Sequence, residues 1–402
     1  MLAGSPLTLF RLSEAGAAIA RSIEVGDELD ASGPIAALLD RFLDAGVVHP
    51  VPGLNAGASW SHVDVTVVTP QLGGTVAATD ARLVIDDGSE PPLHGAALRL
   101  DANVGPGGAR NAGRSLVHTP FVAFVDADVD VPELRPDHPG HDRFWAVLLG
   151  HFDDERVGLV APRVTGDCGS SLDRGDTPAR IRAGTRVSYV PAAMIIVRIE
   201  AFDDVGGFDP TLRSGEDVDL VWRLVDAGWR CRYEPAATVH HRPRATWREK
   251  WDQQVLYGSS SAPLALRHPR SLAPWKGSGW IAATWVALVL GHPIAATGTA
   301  LISMSRFRRR IPGLDADVLC ELTAEVLNAT GRHAAAAVRR AWWPLAIPFL
   351  WSKRARGVLL AAAVVSPKAV ARDIAFSVGL WRSVLRSRDL TALLPQIAGS
   401  AD

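Results

Sequence analysis

Cysteine is scarce in this chain of 402 residues, which contains three cysteines and no CxxC pair. Cys168, Cys231 and Cys320 form no even-numbered framework, so we interpret them as ordinary thiols in a reducing compartment. The amino terminus lacks a basic segment followed by a continuous apolar run, and we expect no cleaved secretion signal. The formal net charge is only -1. Since no excess of positive charge is available for a polyanion, we expect no nucleic-acid partner.

Apolar residues are abundant, at 48% of the chain, which is ample for a buried core. The length fits one large domain with attachments, or two to three smaller units. Changes in composition and hydrophobic patterning along the chain predict a small N-terminal module over residues 1–58 and a central domain over residues 59–265. Residues 266–402 are predicted to form a helical, apolar region.

The N-terminal module combines a short strand-like stretch, Leu7 to Leu12, with apolar residues at helical spacing from Ile35 to Ala45. Gly46 is predicted to cap that helix, and the Pro- and Gly-rich residues 47–57 are predicted to form a linker. A segment of this size can bury little apolar surface on its own.

The central domain contains short apolar runs that alternate with turn signals and helical stretches. Such runs are typical of strands buried on both faces, so we predict an α/β domain with a mainly parallel sheet covered by helices. Only residues 70–81 connect the first two runs, which predicts a curtailed first βα unit. The runs cover residues 65–69, 82–86, 97–101, 121–126, 157–164 and 192–197.

Acidic side chains follow two of these runs where each run ends. Asp86 and Asp87 lie in VIDDGS, and Asp126 and Asp128 lie in FVDADVD. Because ligands bind outside the carboxyl ends of strands in open α/β sheets, we expect both pairs at one edge. The first pair can hold a base edge and ribose hydroxyls, and the second can bind Mg²⁺ or Mn²⁺ on a diphosphate. The alternatives are an ordinary Asp-Asp-Gly turn and a solvated acidic loop.

A third acidic pair, Glu216 and Asp217, begins a predicted helix. Acidic side chains stabilise helix amino termini, so a capping role is one interpretation. The other makes Asp217 a general base that removes a proton from an acceptor hydroxyl. His240 and His241 follow the next predicted strand, and either one is a candidate third ligand of the cation or a structural histidine.

The segment NVGPGGARNAG, residues 103–113, contains a Gly-rich turn that leads into a helix. Its glycines permit close approach of the backbone to a ligand. Arg110 is predicted to reach a donor phosphate, and Asn111 a hydroxyl or an amide edge.

In this order, the motifs resemble those of the family 2 glycosyltransferases, which have the GT-A fold, a Rossmann-like nucleotide-diphospho-sugar transferase fold. The resemblance covers about residues 63–260. It implies that Asp86 and Asp87 contact the uracil and ribose of the donor. The matching segments are VIDDGS, LDANVGPGGARNAG, FVDADVD, YVPAAMIIVRIEAFDDVGGFDP, GEDVDLVWRLVDAGW and the strand that ends at His241.

The same resemblance implies a metal on the donor diphosphate, held by Asp128 with Asp126 and by His241. It implies that Asp217 is the catalytic base. A single base that activates the acceptor for attack opposite the leaving diphosphate implies inversion at the anomeric carbon.

Further features are a small N-terminal segment that ends LLDRFLDAGVVHPVP, the segment WREKWDQQVLYGSSSAPLALRHP over residues 247–269, and the apolar C-terminal region. Together with the core motifs, they make the whole chain more narrowly similar to the glycosyltransferases of mycofactocin biosynthesis. That similarity implies transfer of glucose from UDP-glucose to a peptide-derived redox cofactor, and a winged-helix-like, peptide-holding N-terminal segment. Two other functions stay open. One is transfer to a polyprenyl phosphate or a polysaccharide, and the other is nucleotide-sugar binding without turnover.

The C-terminal region contains an almost uncharged stretch, Gly277 to Met304, followed by the basic run 306–310. The stretch is long enough for a membrane span. Interfacial helices anchored by Trp342, Trp343 and Trp351, and a buried hairpin, are the alternatives. We favour membrane association at the cytoplasmic side of the cell membrane.

Overall fold

A computed structural model describes residues 1–5, 8–52, 59–76, 82–166, 172–242, 246–269, 271–311 and 313–398. The chain forms two compact units, Met1–Pro243 and Arg244–Asp402. Cys168 and the carboxyl part of the predicted linker lie outside the described residues. Buried Cys231 and exposed Cys320 are free thiols.

The first unit consists of eleven described strands and six described α-helices. The helices are α1 (Glu14–Val25), α2 (Gly33–Asp44), α3 (Pro106–Arg114), α4 (His141–Leu149), α5 (Ile199–Asp204) and α6 (Glu216–Asp226). The strands are β1 (Leu2–Ala3), β2 (Thr8–Leu9), β3 (Val65–Gln71), β4 (Arg82–Asp86), β5 (Leu98–Arg99), β6 (Phe121–Val125), β7 (Val129–Asp130), β8 (Val157–Thr165), β9 (Ala179–Arg180), β10 (Met194–Arg198) and β11 (Arg230–His241).

A nine-stranded sheet in the order β5-β4-β3-β6-β10-β8-β11-β7, with β9 on β11, forms the centre of this unit. All six apolar runs are strands, which confirms the α/β prediction. Strands β3, β4, β5, β6, β8 and β11 run in one direction, as predicted, but β10 runs antiparallel to both of its neighbours. Apolar content could not reveal this direction because a buried strand is apolar in either orientation.

The reversed direction of β10 matters for the carboxyl edge of the sheet. Met194, its first residue, pairs with Val125, the last residue of β6. The residues just before β10 therefore lie at the edge where the parallel strands end. Asp126 donates its backbone N–H to the carbonyl of Ala193 there, over 2.9 Å.

The core of the sheet is apolar on both faces. All five residues of β6 are buried, and Phe121 packs with Phe152 at 4.5 Å between ring centroids. Buried side chains of α4, including Phe144 and Trp145, cover the same cluster. These contacts fix the strand ends that carry the acidic motifs.

The N-terminal module consists of the antiparallel hairpin β1–β2 followed by α1 and α2. Phe10 and Phe42 pack edge-to-face in its small core, at 5.2 Å between ring centroids. The predicted helix is confirmed as α2. Its cap is Ala45, however, and Gly46 lies one residue beyond with φ +65°, the position where glycine relieves left-handed strain.

Ion pairs join this module to the amino edge of the sheet, opposite to the acidic motifs. Arg230, the first residue of β11, contacts Asp40 at 2.6 Å, Asp44 at 2.9 Å and Asp154 at 2.7 Å. Arg156 contacts Asp40 as well, at 2.7 Å. The module's own core holds its elements together, and paired charges join the module to the sheet.

The connection from β3 to β4 is short, as predicted. Residues 72–76 contain no helix, and residues 77–81 lie outside the described residues. Gln71 Nε2 donates to the carbonyls of Gly73 and Thr75, which ties the described part of the connection to the end of β3.

The second unit is mainly helical. Helix α7 (Trp247–Ser259) packs against α14 (Val370–Ser387) within this unit, so the boundary between the units lies near residue 243 instead of the predicted 265. A Cβ on Gly258 or Gly379 would lie 1.9 Å from a carbonyl of the other helix, so the two glycines permit this close packing. Its elements are α7 (Trp247–Ser259), α8 (Ser261–Arg267), β12 (Lys276–Ser278), α9 (Gly279–Val289), α10 (Pro293–Arg310), α11 (Ala316–Ala337), α12 (Trp343–Ala346), α13 (Lys353–Val365), α14 (Val370–Ser387) and β13 (Gln396–Ala398).

The predicted apolar stretch Gly277 to Met304 is divided between α9 and α10. Gly291, with φ +79°, and Pro293 separate the two helices. Among the described helices, none combines the length and the apolar character that a membrane crossing requires. Of the three predicted anchors, only Trp351 is exposed, whereas the indoles of Trp342 and Trp343 donate hydrogen bonds within the unit.

Candidate active site

The acidic motifs lie at the carboxyl edge of the sheet, as predicted. Asp86 ends β4, and Asp126 directly follows β6. Asp217 lies in the first turn of α6, and His241 ends β11. Because β4, β6 and β11 share one direction, their last residues meet at this edge.

Asp86 is fully buried and organises the loop after β4. Its carboxylate accepts hydrogen bonds from the backbone N–H groups of Ser89 and Leu93 and from the guanidinium of Arg99, over 2.8 to 3.1 Å. Burial acts to raise the pKa of Asp86, but these donors lower it to about 2. The predicted donor contact of Asp86 requires one of these bonds to be exchanged.

Asp87 holds the loop that enters α3. Its two oxygens accept from the backbone N–H groups of Val104, at 2.7 Å, and Gly105, at 3.0 Å. Gly88, with φ +73°, permits this approach, since a Cβ there would lie 2.6 Å from the carbonyl carbon of Ala102. The Asp-Asp-Gly sequence therefore fixes the positions of both flanking loops.

Arg110 lies at the centre of the site, buried between two carboxylates. Its guanidinium contacts Asp126 at 2.5 Å and Glu216 at 3.0 Å, and it stacks on the ring of Phe208 at 5.2 Å from the centroid. Burial acts to lower the pKa of Arg110, but Asp126 and Glu216 raise it. The guanidinium is already engaged, so its predicted phosphate contact stays a prediction.

Asn111 supports the site from behind. Its side-chain amide donates to the carbonyl of Phe208 over 2.7 Å and accepts from the backbone N–H of the same residue over 2.9 Å. This pair of bonds fixes the backbone of Phe208 under the guanidinium of Arg110. Both polar atoms of the Asn111 side chain already bind the protein, so its predicted contact with the donor stays a prediction.

Asp217 combines partial exposure with a perturbed pKa. Its carboxylate accepts from the N–H groups of Val218, at 2.8 Å, and Ala192, at 3.4 Å. Burial and the neighbouring charge of Glu216 raise the pKa of Asp217 to about 7, although Arg110 acts to lower it. A carboxylate that titrates near neutrality suits general-base catalysis.

Asp126 and Asp217 lie on either side of the short segment before β10. Asp126 donates its N–H to the carbonyl of Ala193, and Asp217 accepts from the N–H of Ala192. Burial raises the pKa of Asp126, against the lowering effect of Arg110. The antiparallel direction of β10 thus brings two acidic motifs together.

Asp128 and His241 form a separate pair. The Oδ2 atom of Asp128 lies 3.3 Å from Nε2 of His241, because β7 pairs with the end of β11 and matches His241 to Val129. The side chain of His240 is exposed. The structure therefore favours His241 over His240 as the neighbour of the acidic motif.

The donor types of this pair fit a divalent cation. Two neighbouring ligands of an octahedral Mg²⁺ lie about 3 Å apart, close to the observed separation. Within the described ranges, no three His, Cys, Asp or Glu side chains form a group that could hold a metal ion. Asp126, the third predicted ligand, instead bonds Arg110, so its role as a ligand stays a prediction.

Sequence reasoning did not identify the contacts that hold the site together. The pairing of Arg110 with Glu216, the bond from Arg99 to Asp86 and the ring of Phe208 under Arg110 were all missed. The only signal in the sequence was an arginine within a Gly-rich segment. That signal could not identify the residues that Arg110 contacts, because they come from distant parts of the chain.

The chain is 36% identical, over an alignment 462 positions long, to the pre-mycofactocin glycosyltransferase of Mycobacterium tuberculosis (strain ATCC 25618 / H37Rv), covering 99% of this chain and 94% of the relative. A part is 43% identical over 97 residues to the N-acetylglucosaminyl-diphospho-decaprenol L-rhamnosyltransferase of the same strain, covering 23% of this chain and 29% of that protein.

One solved structure with a similar chain is mannosyltransferase PcManGT from Pyrobaculum calidifontis in complex with GDP-Man and Mn²⁺. It gives a TM-score of 0.38 at 17% identity, covering 88% of this chain and 98% of that one. No family model matches the sequence.

Proposed function

Because this chain belongs to the family of pre-mycofactocin glycosyltransferases, which are family 2 glycosyltransferases of GT-A fold, we propose that it is an inverting hexosyltransferase. It transfers glucose from UDP-glucose to a hydroxyl of a peptide-derived acceptor in mycofactocin glycosylation. The observation that carries the proposal is the position of Asp217, which shares the segment Ala192–Ala193 with Asp126 and has a pKa raised to about 7.

Asp217 acts as the base. Its carboxylate takes the proton of the acceptor hydroxyl while the acceptor oxygen forms a bond to the anomeric carbon. The bond from that carbon to the diphosphate oxygen breaks on the opposite face, and UDP leaves with the bonding electrons. A single displacement with one base inverts the anomeric configuration, and its transition state resembles an oxocarbenium ion, as in glycoside hydrolysis.

The donor side comprises the predicted residues Asp86, Asp87, Arg110, Asn111 and Asp126. Asp86 and Asp87 bind the uridine directly, after exchange of an internal hydrogen bond. Arg110 and Asn111 support the donor site indirectly. The side chain of Arg110 holds Asp126 in place, and the side chain of Asn111 holds Phe208 in place. Asp126 binds the donor through the carboxylate oxygen that does not bond Arg110.

Asp128 and His241 hold a divalent cation, Mg²⁺ or Mn²⁺. The support is their 3.3 Å separation and the hard oxygen and imidazole donors that they offer. When bound, the cation offsets the negative charge that develops on the leaving diphosphate. Asp126 completes the predicted ligand set if its bond to Arg110 exchanges when the donor binds.

The enzyme acts at the cytoplasmic side of the cell membrane, through the surface of its second unit. Leu345, Phe349 and Trp351 are exposed beside a basic run that begins at Lys353. Apolar side chains flanked by basic ones favour the interface of an anionic bilayer.

The test is a donor and acceptor screen on the full chain. Purified protein receives UDP-glucose, UDP-galactose or GDP-mannose, with a peptide-derived acceptor or a polyprenyl phosphate, and release of the nucleotide is measured. We expect UDP release only with UDP-glucose and the peptide-derived acceptor, and product analysis should show inversion.

Other outcomes would contradict the proposal in distinct ways. Turnover only with the polyprenyl phosphate would mean that the acceptor is a polyprenyl phosphate and not a peptide-derived molecule. Thermal stabilisation by UDP with Mn²⁺ but no release with any acceptor would indicate a nucleotide-sugar-binding protein without turnover.

A further inference from the structure

A cavity of about 370 Å³ lies in the second unit, between α9, α10 and α11. This volume is within the range of cavities that bind small molecules, roughly 300 to 1,000 Å³. Its walls are mostly apolar and include Ile281, Phe307, Leu322 and Val326, whereas Arg306 and Arg310 lie at one side. None of its lining residues is acidic.

The two arginines are available to a ligand. They lie on one face of α10, four residues apart and therefore one turn from each other. Both side chains are exposed, and neither forms a hydrogen bond or an ion pair within the described part of the chain. No acidic residue occurs from Gly277 to Arg310, so neither α9 nor α10 carries a negative charge that neutralises the two arginines.

The start of α9 adds to the positive potential of the cavity. Ser278 caps this helix of 11 residues by accepting the N–H of Ile281 over 3.3 Å, and the lining includes Gly279 and Trp280. Helix amino termini attract anions because their N–H groups are unpaired and the helix dipole is positive there. The arginines and the helix terminus thus act on the same space.

The hairpin formed by α9 and α10 has opposite chemistry at its two ends. The helices are paired by a 2.9 Å hydrogen bond between the hydroxyls of Thr284 and Thr299. At the turn, Leu290 and Ile294 are exposed and uncharged, while the other end carries the basic run and the cavity. An anionic lipid has the same sequence of an apolar chain followed by a charged headgroup.

We propose that this cavity binds an anionic phospholipid of a membrane leaflet, with its phosphate at Arg306 and Arg310 and the upper part of an acyl chain against the apolar walls. The walls provide apolar contact, and the arginines provide charge-assisted hydrogen bonds to phosphate oxygens. Such a site fixes the second unit to the membrane through one lipid. It does not depend on which sugar or acceptor the first unit uses.

The test compares two double variants of the full chain with the same change in net charge. Arg306→Gln with Arg310→Gln removes the cavity arginines, and Arg308→Gln with Arg309→Gln removes neighbours on the same helix that do not line it. The probe is dodecyl phosphate below its micelle concentration, with inorganic phosphate and dodecyl maltoside as controls. Binding is measured by calorimetry, and co-sedimentation with phosphatidylcholine vesicles is measured with and without phosphatidylglycerol.

We expect dodecyl phosphate to bind more tightly than either control, and the cavity variant to lose at least about tenfold in affinity. The neighbouring variant should lose less than about threefold. Val326→Trp, which fills the cavity without changing charge, should weaken binding as well and should reduce co-sedimentation with the anionic vesicles.

Three results would overturn the proposal. Equal losses in the two double variants would mean diffuse attraction to the basic run. Equal binding of dodecyl maltoside would mean an apolar cleft without a headgroup site, and equal binding of inorganic phosphate would mean an anion site without a lipid. Unchanged melting temperatures in the double variants would show that the comparison concerns folded protein.

Discussion

Arg110 donates a hydrogen bond to Glu216 across 3.0 Å, although 106 positions separate the two residues in the chain. The same guanidinium donates a hydrogen bond to Asp126, so the positive charge of Arg110 is shared between two acidic motifs. Asp217, the proposed base, follows Glu216 directly. Its pKa therefore depends on how completely Arg110 neutralises Glu216.

Asp217→Asn should abolish transfer and leave nucleotide affinity nearly unchanged. Replacing the carboxylate by an amide removes the base but keeps the size of the side chain. General-base catalysis contributes a factor of roughly 10² to 10⁴ in rate. UDP release and UDP affinity in the presence of Mn²⁺ are the two measurements. Asp226→Asn, an exposed change on the same helix, is the matched control. Normal turnover by Asp217→Asn would remove the assigned role.

The pH profile of transfer should rise through about pH 7 and level off above it. The base works only when it is deprotonated, and its folded-state pKa is about 7. Because the folded protein holds this proton more tightly than the unfolded chain, stability should fall as pH rises from about 4 to about 7. Asp217→Asn should therefore melt at a higher temperature than the wild type at pH 8. A flat kcat/KM between pH 6 and 8 would contradict the pKa.

Arg110→Met should move the acidic limb of the pH profile to higher pH. The guanidinium lowers the pKa of Asp217, so its loss raises that pKa. The change also leaves buried Glu216 and partly buried Asp126 without their cation, at a cost of about 3 to 5 kcal/mol in stability.

Arg110→Lys restores the charge and should return the limb towards its original position. Arg114→Met, on the same helix but in a more exposed pair with Asp203, should change stability by only about 0 to 1 kcal/mol. If the acidic limb of the pH profile were unchanged in Arg110→Met, Arg110 would have no effect on the pKa of the base.

Asp128→Ala and His241→Gln should each weaken the binding of UDP in the presence of Mn²⁺ and have little effect in its absence. Both residues supply donors to the proposed cation. The control is His240→Gln, since that exposed histidine is adjacent in sequence. Calorimetric titration with UDP, with and without Mn²⁺ or Mg²⁺, checks the prediction. Wild-type affinity that is independent of metal would exclude the site.

Asp40→Asn should lower the melting temperature at pH 6 and have a progressively smaller effect as pH falls from about 4 to about 2. Hydrogen bonds from Arg156 and Arg230 lower the pKa of Asp40 to about 2. Its stabilising effect is therefore present above the unfolded value, about 4, and is lost as pH falls through about 2. Asp27→Asn in the same module is the control. Equal melting temperatures of Asp40→Asn and the wild type at pH 6 would mean that the ion pairs do not stabilise the module.

Local signals in the sequence were sufficient for the strands and for the position of the acidic motifs. The continuous apolar runs at Val65, Arg82 and Phe121 each begin a strand, because burial on both faces requires apolar side chains throughout. The carboxylates that follow such strands meet at one edge wherever the strands are parallel. The sequence alone therefore predicts that Asp86, Asp126 and His241 lie at the same edge of the sheet.

The direction of β10, the boundary near residue 243 and the roles of Arg110 and Asn111 required the tertiary structure. Each depends on a contact with a residue far away in the chain. Ala193, before β10, bonds Asp126, Gly258 packs against helix α14, and Asn111 bonds Phe208. The sequence by itself determined which residue types stand at the ends of the strands, since that follows from short-range burial and turn chemistry. Only the folded protein decided which charges face each other, because pairing over long separations depends on how the elements pack and not on any local pattern.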